Sequence, residues 1–412
     1  MSSSALLLPI LISVAKCYNA SYQPRPYTIN VDPTFIEDTR VRASNFRPSL
    51  DIDAPAWFDG PPVANVSEVA EYWASDFNFD QFQNELNTNF SHFITTVPPP
   101  GEMYNRSLDI HFIHEVSDRE DAIPMLLLHG WPSTSLEWAK VIPSLAHPPN
   151  SSLPAFHAVA PDLPGFGFSP APTTPGLNPE GHAIVFASLM EQLGYERYVV
   201  YSTDLGFVVA QHMVPKYVDR IINHVTDFYL VFQNATDSAR FANNQTTPEE
   251  TAYISSQNDF LANHGGYSDV HSTLPLSLAH TLLDSPVGFL AWMWQLVYTV
   301  SDVPQTAEEL IRRALALYIP GPYGNIRSYK ELFGINLFTG VKTKVPVSAV
   351  QWGYPSPAYP ALKDFNYAPR DWVERTANLT YFKRLPVGGH FPAESRPQLW
   401  IETIWEIFAA AV

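Results

Sequence analysis

Cysteine is all but missing: the lone Cys17 in 412 residues can close no internal disulfide and offers no thiolate chemistry or cysteine-based metal site. Basic side chains are scarce too. With 24 Lys and Arg against 41 Asp and Glu, the net charge is −17, which repels a phosphate backbone and an anionic membrane surface and argues against nucleic acid as a partner. Long apolar runs are wanting. The run from Ala5 to Ala15 is about half the ~20 residues that a spanning helix needs, so no stable membrane anchor is expected. Neither a repeat period nor a long low-complexity tract is present, and the prolines are scattered through loops such as Pro98-Pro99-Pro100 and Pro170-Ala171-Pro172, so a linker-rich modular chain is not indicated.

Apolar material, by contrast, is plentiful. Hydrophobic residues make up 46% and aromatics 13% of the chain, enough to fill one large catalytic core with an appended or inserted segment. Residues 1–20 hold the apolar run followed by small residues, with Ser13 and Ala15 placed before a cut, and read as a secretory signal peptide, although no Lys or Arg precedes the run. Asn-x-Ser/Thr sequons begin at Asn19, Asn65, Asn89, Asn105, Asn150, Asn234, Asn244 and Asn378. So many of them, with the leader, favour passage through the secretory pathway and N-glycosylation over a cytoplasmic location.

Residues 21–107 are short and broken in pattern, with aromatic anchors at Trp57, Phe58, Tyr72, Trp73, Phe77, Phe79 and Phe82, and read as an arm laid on a larger body. An arm that wraps its own core and one that reaches a second copy look alike in sequence, which leaves a homodimer open. From 108 to 230 apolar strands appear at Asp109–Ile113, Ile123–Leu128, Phe156–Ala160, Tyr198–Tyr201 and Ile221–Phe228, separated by helical stretches such as Ala183–Leu193. That alternation implies an α/β fold whose mostly parallel sheet is covered on both faces. Residues 231–334 turn mainly helical and read as an inserted cap. Strand character returns within 335–412, at Val345–Trp352 and Leu379–Phe382, before a last helix over Pro397–Ala410.

Three short segments carry chemistry. Tyr198-Val-Val-Tyr-Ser-Thr-Asp-Leu-Gly206 runs from a strand into a helix with small residues two before and two after Asp204, the spacing of a strained turn that lifts a nucleophile above the sheet. A carboxylate there would attack an electrophilic carbon, and the helix N-terminus would favour its ionised form; an ordinary N-cap aspartate is the other reading. His129-Gly-Trp-Pro132 ends a strand where the Trp131 N–H, with that of Leu205, could form an oxyanion hole; a plain strand-ending turn is the alternative. Gly388-Gly-His-Phe-Pro392 lies after the last strand, where this architecture needs its general base, and His390 fills the place. No metal-type spacing is apparent, and the chemistry needs no cofactor or metal.

These segments, with Glu71-Tyr72-Trp73, Leu86-Asn87, Ile110-His-Phe-Ile-His114, Glu137-Trp138 and Pro164-Gly-Phe-Gly-Phe-Ser169, make the sequence resemble the microsomal-type epoxide hydrolases, fungal and juvenile-hormone enzymes among them, from Tyr27 onward. The resemblance implies the α/β-hydrolase fold with its N-terminal arm. It also implies opening of a small-molecule epoxide by water through an ester on Asp204. It assigns Tyr267, in Gly266-Tyr267, and Tyr329, in Ile326-Arg-Ser-Tyr-Lys330, as donors to the epoxide oxygen, and Asp364 as the acid orienting His390, with Asp227, Asp371 and Glu374 as rivals. Ser202-Thr203 and Leu205 depart from the glycines and tryptophan that the family usually shows around the nucleophile. Haloalkane dehalogenation, which shares the aspartyl ester, and a catalytically silent binding protein are the competing functions.

Overall fold

A computed structural model describes residues 22–333, 341–356 and 358–409. The leader, Cys17 and Asn19 lie outside the described residues. The sheet comprises β1 (Arg25–Pro26), β2 (His92–Val97), β3 (Leu108–Glu115), β4 (Ile123–Leu128), β5 (Phe156–Pro161), β6 (Tyr198–Ser202), β7 (Ile221–Thr226), β8 (Pro346–Trp352) and β9 (Asn378–Leu385), in the spatial order β1-β2-β3-β5-β4-β6-β7-β8-β9. The first four strands in that order pair antiparallel and the rest parallel. Central β4 and β6 are apolar because both faces are covered. Leu126, Leu128 and Val200 pack in one cluster, whereas Met125, Leu127, Val199 and Tyr201 pack in another on the opposite face.

The stretch read as an arm contributes more than a surface wrap. Its helices α1 (Pro33–Ser44), α2 (Val63–Ser75) and α3 (Phe79–Asn89) lead directly into β2, so β1 and β2 belong to the same sheet as the catalytic strands. The Asn87 amide locks the leading segment down, accepting from the Ile29 N–H and donating to the Ile29 carbonyl, both at 2.9 Å. Trp57 stacks on Tyr298 at 3.5 Å between ring centres, so the arm packs against its own chain.

The short α4 (Ile142–Ala146) and the long α5 (Pro179–Gln192) and α6 (Asp204–Lys216) flank the strands up to β7. Asn178 caps α5 through a bond from the Gly181 N–H, with Pro179 at its first position, the usual start signal. Among the described residues, seven helices then intervene before β8: α7 (Ala235–Ala242), α8 (Pro248–Asn263), α9 (Gly266–Thr273), α10 (Pro275–Asp284), α11 (Pro286–Val300), α12 (Ala307–Tyr318) and α13 (Pro322–Leu332). Most buried of these is α11, whose Phe289, Leu290, Met293 and Val297 lie in the main core. Helices α14 (Arg370–Thr376), α15 (Pro392–Ser395) and α16 (Pro397–Ala409) follow. Trp400, Ile401, Ile404 and Phe408 of α16 cover the second sheet face. Among the described residues, no helix is long and apolar enough to cross a membrane.

Candidate active site

The turn between β6 and α6 is built around Asp204, whose φ of 44° is a left-handed backbone that a non-glycine residue adopts only under constraint. Two glycines allow it. A Cβ on Gly206 would sit 2.3 Å from the Leu128 carbonyl, and one on Gly130 would sit 2.1 Å from Asp204 Oδ1, so neither the helix nor Asp204 could come this close to β4 with alanine there. Ser202, where a glycine is usual, is buried and bonded to His224 Nε2 at 2.8 Å, so its hydroxyl is satisfied beneath the turn.

The Trp131 N–H donates to Asp204 Oδ1 at 2.8 Å, and the Leu205 N–H supports the same carboxylate. Burial nonetheless outweighs both donors and raises its pKa to about 6. The donors at the helix N-terminus favour the ionised form, and burial opposes them as the larger effect. A helix end is worth about 0.3–1 kcal/mol, whereas desolvation can move a buried carboxyl by up to about 3–5 pKa units.

His390 follows β9 on the left-handed Gly388 and Gly389, and its backbone N–H donates to the Val300 carbonyl at the end of α11, at 2.9 Å. Its Nε2 lies 3.6 Å from Asp204 Oδ2. Burial, with a smaller contribution from the Arg313 cation, pushes the imidazole down to about 3, so the ring is neutral and Nε2 can accept a proton.

Opposite stand the two tyrosines, Tyr267 in the first turn of α9 and Tyr329 in α13. Their rings meet edge to face at 5.7 Å, and Trp131 stacks on Tyr267 at 5.3 Å. Burial first, and then neighbouring groups that include the Asp204 charge, raise both phenols, so both remain protonated donors. The Tyr329 hydroxyl is buried without a well-formed hydrogen bond, although it interacts with the Tyr267 hydroxyl. A cavity of about 240 Å³ is lined by Asp204, Tyr267 and His390 and walled by Phe228, Phe260 and Leu296, with Tyr329 behind Tyr267 and not among its lining residues.

Asp364 is not brought to the histidine. It ends a 3₁₀ turn, Pro360–Asp364, with a side chain 24% exposed and 4.0 Å from Lys363. Among the described residues no hydrogen bond joins it to His390, whose Nδ1 instead meets the Tyr354 hydroxyl at 3.1 Å. The loop after Trp352 carries the carboxylate outward, where hydration costs less than burial without a cation. The rivals Asp371 and Glu374 are 72% and 45% exposed, whereas Asp227 is buried at the end of β7.

Two further residues of this region were not legible in the sequence. Buried His271 accepts from Trp292 Nε1 at 2.9 Å and packs edge-on against Trp131; Tyr354 was one tyrosine among 20. Only their positions in the folded chain single them out. Of the sequons, Asn65, Asn89, Asn105, Asn150, Asn234 and Asn244 are exposed, whereas Asn378 is half-buried, and its amide donates to the Lys344 carbonyl at 3.0 Å.

A carboxylate on a strained strand-to-helix turn, two N–H groups on it and a neutral imidazole beside it define an α/β hydrolase with an acidic residue at the nucleophile position. Residues 24–138 match the family described as epoxide hydrolase N terminus, and residues 123–268 match the α/β-hydrolase fold. The chain belongs to the epoxide hydrolases of this fold. It is 27% identical to a juvenile hormone epoxide hydrolase of Manduca sexta, over 94% of this chain and 86% of that protein. With epoxide hydrolase 1 of Sus scrofa it shares 26% identity, over 92% and 87%. The crystal structure of juvenile hormone epoxide hydrolase from Bombyx mori superposes with a TM-score of 0.82 at 23% identity, covering 95% of this chain and 94% of the other. For the Aspergillus niger epoxide hydrolase the TM-score is 0.79 at 23% identity, with 95% and 97% covered.

Proposed function

We propose that the site converts an epoxide to a vicinal diol in two steps. In the first, ionised Asp204 attacks a ring carbon, the carbon–oxygen bond breaks, and Tyr267 and Tyr329 donate hydrogen bonds to the oxygen as charge builds on it. In the second, His390 Nε2 takes a proton from water, the hydroxide adds to the Asp204 carbonyl, and the Trp131 and Leu205 N–H groups hold the resulting oxyanion. Its collapse breaks the bond between the carbonyl carbon and the ester oxygen that was Oδ2. That oxygen takes the proton back from His390, and the proton left on the Asp204 carboxyl goes to the opened ring oxygen. The observation that carries this reading is the Trp131 N–H on Asp204 Oδ1, which leaves Oδ2 as the attacking atom. Haloalkane dehalogenation is disfavoured, because the indole N–H of Trp131 is engaged by Asn325 Oδ1 at 3.1 Å and phenols face the carboxylate where halide donors would be needed. Secretion belongs to the proposal as well, supported by the leader and by the exposure of six sequons.

Replacing His390 with Gln should preserve ester formation and stop its hydrolysis, so an adduct equal in mass to an added epoxide accumulates on the peptide holding Asp204. In a single wild-type turnover in ¹⁸O-water, the label should enter Asp204 and not the diol. Label found only in the diol would mean direct attack by water and would end the covalent mechanism.

A further inference from the structure

A phenol that donates to an epoxide oxygen must keep its hydroxyl free until the substrate arrives, so no strong hydrogen bond can hold it in place beforehand. Tyr329 meets that condition, its hydroxyl being buried without a well-formed hydrogen bond. What fixes its direction, and that of Tyr267, is then the packing of the rings themselves.

The imidazole of His271 stands within that packing. It lies one turn after Tyr267 in α9, on the same face of the helix, and is fully buried. Three rings meet it close to perpendicular: Trp131 at 4.7 Å, Tyr329 at 4.8 Å and Tyr267 at 5.6 Å between centres. Phe333 stacks on the Tyr329 ring at 4.9 Å, so two neighbours grip that phenol. Trp131, stacked on Tyr267, is itself tied to α13 by its indole bond to Asn325. His271 therefore touches both phenols and the turn after β4 at once.

One hydrogen bond pins the imidazole and fixes its tautomer. Trp292 Nε1, on α11, can only donate, so His271 Nε2 accepts from it at 2.9 Å, and the proton of the neutral ring sits on Nδ1. That Nδ1 is buried without a hydrogen-bond partner, among rings that meet an N–H only weakly. Burial keeps the ring uncharged, pushing it down to about 3. An apolar side chain would fill the space without stranding a donor, but it could not accept from Trp292. Imidazole combines a rigid flat edge with that acceptor.

On the reading above that Tyr267 and Tyr329 donate to the epoxide oxygen, we infer that His271, pinned by Trp292, is the positioning residue that aims both phenols. Its Nε2 is taken by Trp292 and its ring is enclosed, so it acts through the tyrosines. The step it serves is ester formation, in which they donate. Without its edge the phenols are free to swing, and a misplacement of about 1 Å can cost about 100-fold in rate.

Rapid-quench intact mass of the full chain with styrene oxide tests this in the His390→Gln background, where the adduct accumulates and its rise reads ester formation alone. Adding His271→Gln, which keeps an acceptor for Trp292 but removes the ring, should lower the rate constant by about 10- to 100-fold in protein shown by circular dichroism to be folded. Trp292→Phe, which unpins the imidazole, should act in the same direction. A double-mutant cycle with Tyr329→Phe supplies the readout that a merely structural role would not move. With that phenol already gone, His271→Gln should cost less than it does alone. A rate constant unchanged by both His271→Gln and Trp292→Phe, or losses that multiply fully in the cycle, would overturn the inference. If His271→Gln does not fold, Trp292→Phe decides it by the same cycle. Failure of the catalytic reading would look different: no adduct in His390→Gln alone, or no loss of rate on Tyr329→Phe.

Discussion

At the scale of single residues, desolvation governs this site more than any pairwise contact does. Asp204, His390, Tyr267 and Tyr329 are all shifted toward their neutral forms, with burial the largest cause in each. For the phenols and the imidazole this is useful, since a donor must keep its proton and a base must lack one. For Asp204, as the proposed nucleophile, it is a handicap at low pH. The carboxylate attacks only when ionised, and its folded-state pKa is raised to about 6, so ester formation should rise with pH through about 6 and hold above it. The tyrosines, raised above the ordinary phenol value of about 10, add no alkaline loss up to that pH. Stopped-flow measurement of ester formation between pH 5 and 10 checks this, and a rate that stays flat down to pH 5 would refute the assignment of the limb to Asp204.

At the scale of elements, the strained turn works because β4 and α6 come into near contact. Gly206→Ala should push α6 off the Leu128 carbonyl, which lies 2.3 Å from the new Cβ, and cost about 1–3 kcal/mol, as overpacking commonly does. Urea unfolding should show a lower midpoint with an unchanged slope; an unaltered midpoint would mean the elbow has slack. The buried strands were legible in sequence because continuous apolar runs between turn signals have few other uses. Ile123–Leu128 appears as β4 without change, and the Phe156 and Tyr198 runs each gain one residue at the C-terminal end. Strand β2 was not, because its buried positions include His92 and Thr95. These break the apolar pattern while finding partners in His111 at 3.0 Å and Gln192 at 2.6 Å.

At the scale of the whole molecule, the site is assembled from stretches far apart in the chain: turns after β4 and β6, the helices α9 and α13, and the loop after β9. Surface chemistry follows the same three-dimensional logic. Occupied glycans should be found among the exposed sequons and not at Asn378, whose half-buried amide already donates to Lys344. Glycopeptide mass spectrometry of the natively expressed protein checks this, and a fully occupied Asn378 would contradict the packing there. The sequence alone determined the fold class and pointed to Asp204, His390, Trp131 and Leu205, because a strained turn needs small residues at set spacings in the adjacent chain. Only the tertiary structure decided that the Tyr354 hydroxyl meets His390 Nδ1, at 3.1 Å, and that Asp364 does not. Asp364 and Asp227 are both acids near strand ends, and their difference is solvation: one reaches water beside Lys363, the other is enclosed against Tyr201. Enclosure depends on how the loop after β8 folds over its neighbours, which no local pattern encodes.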